Sequence, residues 1–307
     1  MDYILKTHNL TKVYKGQYAL KDVNMNIAKG DIYGFVGENG SGKTTIIRLI
    51  TGLIFPTSGS YELFGVSSEN EDIIQTRNKI GAIVETPSIY LNFSAYDNLK
   101  MQGQIVGKNN EEKIKEVLEE VGLSQLLNNH KKAGDFSLGM RQRLGIAMAL
   151  LSEPEFIILD EPMNGLDPAG IVEIRELIIR LNQEKRITFL ISSHILTELS
   201  LVATKYGIIS KGHILKEITC EDLKKECRNS ISIKVDNVEH LKEIVLKYHK
   251  EEDFVMINNG VQIYGDCDLN PIVFDIVQAN LKIESITRNE TNIEDYYLTL
   301  IGGKHNG

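Results

Sequence analysis

The chain has 307 residues, room for about two domains at the usual roughly 150 residues each. Hydrophobic residues make up 42% and charged residues 25%, globular proportions that exclude whole-chain disorder, collagen and low-complexity fibres. A formal charge of −8 gives no general attraction to phosphate backbones. Cys220, Cys227 and Cys267 lack CxxC pairing, which argues against a disulfide framework or zinc site and fits a reducing compartment.

The first residues, Met-Asp-Tyr-Ile-Leu-Lys, lack the basic start and apolar run of an export signal. Residues 32–36 read as a buried strand that runs into a glycine-rich turn and then a helix from about Lys43. Ile114, Val117, Leu118 and Val121 recur at helical spacing, with Asn109 and Glu112 as a capping box and Gly122 as the stop. Residues from about 85 to 151 read as mainly helical, a subdomain inserted between strands. A second buried strand is expected over 156–159 and a third over 187–191. Between them Asp167 and Pro168 open a helix with Ile171, Ile174, Ile178 and Leu181 on one face.

The most apolar long stretch, 187–209, is interrupted by His194, Glu198 and Lys205. No segment therefore reads as a bilayer span, which needs about 20 mostly apolar residues. Residues 1–218 are expected to form an α/β domain. A charged junction over 219–229 leads into a small α+β module, the rest of an accessory domain over 219–307. In that module residues 231–235 alternate as a strand and 238–248 form a helix. Residues 254–258 and 261–264 flank Asn259-Gly260 as a hairpin turn. Asn270-Pro271 starts a second helix, and 282–288 make a last strand.

Chemistry concentrates in four places. Gly37-Glu38-Asn39-Gly40-Ser41-Gly42-Lys43-Thr44 matches GxxxxGK[ST] between a predicted strand and helix, the context the motif requires. Its amides and the helix N-terminus, which includes Thr45, suit β- and γ-phosphates. Lys43 adds a cation, and the Thr44 hydroxyl can ligate Mg²⁺. About 120 residues on, a buried strand ends in Asp160-Glu161. Asp160 suits the metal shell, and Glu161 suits a general base holding the attacking water. Third, Phe136-Ser137-Leu138-Gly139-Met140-Arg141-Gln142-Arg143 precedes an apolar helix. Fourth, His194 follows a strand through Ser192-Ser193.

Residues 136–143 lie between the glycine-rich loop and Asp160-Glu161, and in that chain order the motifs resemble those of the ATP-binding-cassette ATPases over residues of about 4 to 218. The resemblance implies a P-loop ABC cassette with an inserted helical subdomain, ATP as substrate and Mg²⁺ as cofactor. Residues 136–140 align with the family's LSGGQ signature. Leu138 stands for its first glycine and Met140 for its glutamine, while Ser137 and Gly139 are kept. By that resemblance Ser137 and Gly139 contact the γ-phosphate of ATP held by a second copy of the chain. Asp167, in Asn164-Gly165-Leu166-Asp167, looks like the D-loop aspartate at the dimer interface; its plainer reading is a helix N-cap, and both roles can hold. His194 resembles the switch histidine, and Tyr14 the adenine-stacking aromatic, with Tyr18 as competitor.

By the same resemblance Glu85 joins Thr44 and Asp160 as an expected metal-site residue, since it stands where most of the family has a glutamine near the metal and the attacking water. Together with the Ser-Leu-Gly-Met signature it resembles the ATPase subunits of exporters for bacitracin-type and lantibiotic peptides. The resemblance implies separate transmembrane permease subunits and a place on the cytoplasmic face of the membrane. Other cargoes, an importer and a soluble non-transport ABC ATPase remain alternatives. The net charge and the missing RNP-like aromatic cluster argue against a nucleic-acid partner.

Overall fold

The computed structural model describes residues 2–302, apart from 109, 228, 266 and 290–292. The chain divides into two compact units, Met1–Cys220 and Glu221–Gly307.

The first unit, expected to be α/β, opens on antiparallel strands alone. Strands Tyr3–Tyr14 and Gln17–Val23 form an antiparallel hairpin, which Asn26–Ala28, Ser58–Leu63 and Val66–Ser67 extend into a five-stranded sheet. Its tight turn is Lys15-Gly16, both residues at positive φ (47° and 82°), flanked by the pair Tyr14–Gln17. Two left-handed residues let a two-residue turn follow the strand twist, and here Lys-Gly does this in place of Asn-Gly.

A six-stranded sheet carries the chemistry. Its order is His213–Thr219, Lys205–Ser210, Ile32–Val36, Thr188–Ser193, Phe156–Asp160, Ile80–Ile83. All neighbours are parallel except the first pair. Ile32–Val36 and Phe156–Asp160 are buried at every position, as strands covered on both faces must be. The helix Lys43–Ile50 packs between the two sheets, with Ile46, Ile47, Leu49 and Ile50 fully buried in a core that also holds Leu5, Leu20, Phe35 and Leu190. Burial of each such side chain contributes about 1.5–3 kcal/mol, so the glycine-rich loop is anchored at its helical end by several of them.

The expected helical subdomain is built from Ala95–Ile105, Glu111–Glu120 and Leu138–Leu150. Leu99, Ile114, Val117, Leu118, Leu144 and Ala147 form its dry seam. The helix after residue 109 is capped by Asn110, whose side chain accepts from the Glu112 amide, rather than by Asn109, which lies outside the described residues. Asparagine at either position carries the same capping chemistry, and only backbone geometry selects between them.

A helix Cys220–Glu226 leads into the second unit and a helix Ile293–Gly302 closes it; between them it runs strand–helix–strand–strand–helix–strand: Ser230–Val235, Val238–Leu246, Phe254–Ile257, Gly260–Tyr264, Leu269–Gln278 and Ile283–Asn289. Spatially the strands lie second, third, first, fourth, all neighbours antiparallel, the ferredoxin-like split βαβ arrangement. Ile231, Ile233, Val261, Ile263, Leu241, Ile244, Ile272 and Ile276 form its core. The hairpin turn is shifted by one residue from Asn259-Gly260. Ile257 pairs with Gly260, so Asn258-Asn259 turns the chain, with Asn259 at φ 60°. Gly260 instead lies within the sheet, where a Cβ would come 2.1 Å from the Ile233 carbonyl oxygen. That close approach accounts for a glycine at this position.

Candidate active site

Strand order brings distant residues together. Ile32–Val36, Thr188–Ser193 and Phe156–Asp160 are adjacent and parallel, so the segments that follow them emerge at one edge of the sheet. Those segments are the Gly37–Thr44 loop, His194 and Asp160-Glu161.

The glycine-rich loop needs its glycines for conformation and for space. Gly40 and Gly42 have φ of 79° and 116°, and a Cβ on Gly42 would stand 2.6 Å from Leu20 Cδ2. Gly42 is also the N-cap of Lys43–Ile50 and offers no side-chain cap, which leaves the first-turn amides of Lys43, Thr44 and Thr45 for an anion. The Lys43 ammonium, buried under the loop, donates to the carbonyls of Gly37 at 2.6 Å and Glu38 at 3.3 Å. Ser41 Oγ is buried with no hydrogen-bond partner among the described residues. The loop is therefore a cradle of amides with one cation and one unpaired hydroxyl, chemistry suited to a polyphosphate.

Asp160 is 2% exposed and shares its two oxygens between hydroxyls: Thr44 Oγ1 donates to Oδ2 at 3.0 Å, and Ser192 Oγ donates to Oδ1 at 2.5 Å. A hydroxyl and a carboxylate in contact form an all-oxygen donor pair of the kind Mg²⁺ takes. Glu161, next in the chain, adopts φ 50° and leaves the strand, so its side chain diverges from that of Asp160. Its amide donates to Ser192 Oγ at 2.9 Å. One carboxylate oxygen lies 3.3 Å from Lys43 Nζ, the other 2.8 Å from His194 Nδ1. Ser192 thus fixes both acidic residues. It was not among the residues singled out in the sequence, where the only signal was Ser192-Ser193 leading into His194.

Glu85 sits elsewhere. It occupies a left-handed conformation (φ 64°) in the loop after Ile80–Ile83, and its carboxylate pairs with Arg48 on the P-loop helix rather than with Thr44 or Asp160. The same loop borders a groove of about 960 Å³ lined by Thr51, Leu53, Val84, Thr86, Pro87 and Gly145, among others.

Ser137 caps Leu138–Leu150 by accepting from the Met140 amide at 3.2 Å, and Asp167 caps Pro168–Lys185 by accepting from the Gly170 amide at 2.9 Å. The two caps adjoin: Cβ atoms built on Gly165 and Gly139 would stand 3.3 Å from Leu138 Cδ2 and 3.9 Å from Leu166 Cδ2. Outside its own helix backbone and chain neighbours, a Cβ built on Gly139 meets nothing else within 4 Å, so packing within the chain does not demand glycine there. Neither cap touches Lys43 or Asp160 by a hydrogen bond or ion pair among the described residues. Tyr14 pairs with Gln17 and Tyr18 with Val13, on opposite faces of the hairpin. Lys12 and Lys21 sit over their rings at 5.2 and 5.4 Å.

Comparison with known proteins gives the family. The family description "ABC transporter" matches residues 20–164. The bacitracin transport ATP-binding protein BcrA of Bacillus licheniformis is 42% identical over 310 residues, covering 99% of each chain. The lantibiotic transport ATP-binding protein SrtF of Streptococcus pyogenes is 45% identical over 214 residues, 70% of this chain and 90% of that protein. Among solved structures, cbiO1 of Clostridium perfringens, part of an ABC transporter complex, superposes with a TM-score of 0.66 at 28% identity, covering 81% of this chain and 96% of that one. A dimeric ATP-binding cassette in a post-hydrolysis state with ADP and Pi gives 0.63 at 27% identity, covering 70% and 98%.

Proposed function

The chain belongs to the ATP-binding-cassette family as an ATP-binding, ATP-hydrolysing subunit of an ABC transporter, and from that premise we propose how its residues work and what it serves. The observation that carries the reading is the Glu161 carboxylate held between Lys43 and His194, beside Asp160 and Thr44.

ATP places its phosphates on the amides of residues 37–45, with Lys43 against the β- and γ-phosphates and Tyr14 against the adenine. Thr44 and Asp160 would hold Mg²⁺, which when bound neutralises charge on the phosphates. Glu161 orients the attacking water and takes its proton, while His194 steadies that carboxylate and reaches toward the γ-phosphate. Catalysis of this kind is mostly positioning and charge stabilisation. The caps Ser137 and Asp167 make no hydrogen bond or ion pair to Lys43 or Asp160 of their own chain among the described residues, and with Gly139 they complete the cage on a second copy. The relative solved with ADP and Pi is itself dimeric.

Among the described residues no helix is long and apolar enough to cross a membrane. Separate transmembrane subunits supply the spans, and the pair of ATPases works at their cytoplasmic face. The groove beside Glu85, walled by Leu53, Val84 and Pro87, is the place for a helix of such a subunit, since it adjoins the nucleotide site. The cargo is an antimicrobial peptide of bacitracin or lantibiotic type. Similarity to the bacitracin relative runs through the C-terminal unit, whereas the lantibiotic relative matches 70% of the chain, which favours the former. The test is Mg-ATPase of the purified chain, then the sensitivity of cells lacking it to bacitracin and to a lantibiotic. Absence of ATPase sinks the mechanism, and unchanged sensitivity to both peptides sinks the cargo.

A further inference from the structure

A carboxylate at position 85 raises an electrostatic difficulty, because it is tied to the helix whose N-terminus serves a triphosphate. The structure answers it with Arg48. This residue lies in the last turn of Lys43–Ile50, five residues after Lys43 and so about 7.5 Å further along the same helix. Its guanidinium pairs with Glu85. Arginine is always charged and suits a planar carboxylate, while a glutamine at 85 would offer Arg48 only a neutral oxygen.

The loop is held on its other side as well. Gly145 of Leu138–Leu150 admits Pro87 so closely that a Cβ there would stand 2.6 Å from Pro87 Cβ. The Glu85 loop is thus pinned to the P-loop helix by an ion pair and to the signature helix by a packing contact. Arg48 precedes Thr51 and Leu53, and Glu85 lies between Val84 and Thr86, four residues that line the groove, so the pair joins two of the segments that form it.

We propose that Arg48 is a positioning residue that neutralises Glu85 and holds its loop against the P-loop helix, so that a carboxylate is tolerated there without opposing ATP. This rests on the reading of the chain as an ATPase. The effect is electrostatic, so it depends on both charges and is weakened by salt.

The experiment is a double-mutant cycle on the full-length purified chain, with Mg-ATP as substrate and KM and kcat measured separately. Arg48→Ala is expected to raise KM about two- to fivefold in the Glu85 protein, the range for a partly exposed pair, and to leave KM unchanged in the Glu85→Gln protein. Arg48→Lys should restore most of the loss, which a purely structural role for the arginine side chain would not produce. The proposal is overturned if Arg48→Ala changes KM by the same factor in both backgrounds, or changes it in neither. A wild-type chain without ATPase activity overturns the underlying reading and this inference with it; an active wild type with additive mutants overturns this inference alone.

Discussion

His194 Nδ1 lies 2.8 Å from one oxygen of Glu161, whose other oxygen lies 3.3 Å from Lys43 Nζ. Three segments far apart in the chain meet on a single carboxylate. A carboxylate held at both oxygens has little freedom to turn, which is what a group that must aim a water requires. Glu161→Gln preserves shape but removes the proton acceptor. Its kcat should fall by roughly 10²- to 10⁴-fold with ATP binding retained, and the protein should elute as an ATP-stabilised dimer on size exclusion. Normal turnover in this variant would remove Glu161 from the chemistry.

Ser192 links the two acidic residues. Its hydroxyl donates to Asp160 and accepts from the Glu161 amide, both in a buried setting. Ser192→Ala leaves two groups short of a partner, at about 1–3 kcal/mol. The expected outcome is a lower midpoint in thermal unfolding together with a reduced kcat. A variant as stable and as active as the wild type would show the hydroxyl to be dispensable.

Tyr14 and Tyr18 occupy opposite faces of one hairpin, so a single adenine can stack on only one. Loss of the stacking ring should weaken ATP by about 1–3 kcal/mol, or roughly 5- to 150-fold in Kd, and loss of the other should be nearly neutral. Fluorescent-nucleotide titration of Tyr14→Ala and Tyr18→Ala separates them. The expectation is that Tyr14 carries the effect.

Gly139 offers a contrast between fold and assembly. A Cβ there meets only Leu166 Cδ2, at 3.9 Å, and the position is helical. Gly139→Ala should therefore leave the isolated chain as stable as before, or more stable by up to about 1 kcal/mol. If a partner's phosphate approaches this backbone, the same substitution weakens the ATP-dependent dimer. Sedimentation with ATP, set beside unfolding without it, reads both quantities. A dimer of unchanged strength would free Gly139 from the interface.

In the C-terminal unit Cys267 is buried and its thiol is pushed above the ordinary cysteine range, chiefly by desolvation. A raised thiol pKa means less thiolate at a given pH in the folded protein than in the unfolded chain. Alkylation at pH 8 should therefore be slower at Cys267 in the native protein than in urea, with mass spectrometry reporting the site. Equal rates would mean that the core around it opens readily.

The contiguous features were legible in the chain. The P-loop, the strand ending in Asp160-Glu161 and the helix opened by Asp167-Pro168 each need neighbouring residues of fixed type, and local periodicity exposes them. The order of elements in the C-terminal unit was readable for the same reason. The ABC family and its ATPase activity followed from motif order, and comparison bears both out.

What local pattern does not contain is register between strands and the partner of a long side chain. The N-terminal residues fold into an antiparallel sheet because their apolar positions meet the P-loop helix across the core, a long-range fact. The hairpin turn moved by one residue because Gly260 must clear the Ile233 carbonyl. Ser192 reaches Asp160 only because those two residues pair across adjacent parallel strands, and Glu85 reaches Arg48 only because the edge-strand loop returns to the P-loop helix. The amino-acid order alone determined which chemistry this protein carries, since amides, a lysine and paired carboxylates are specified residue by residue. Which atoms face one another was decided by strand order and close packing, because burial selects a register that no short window of sequence encodes.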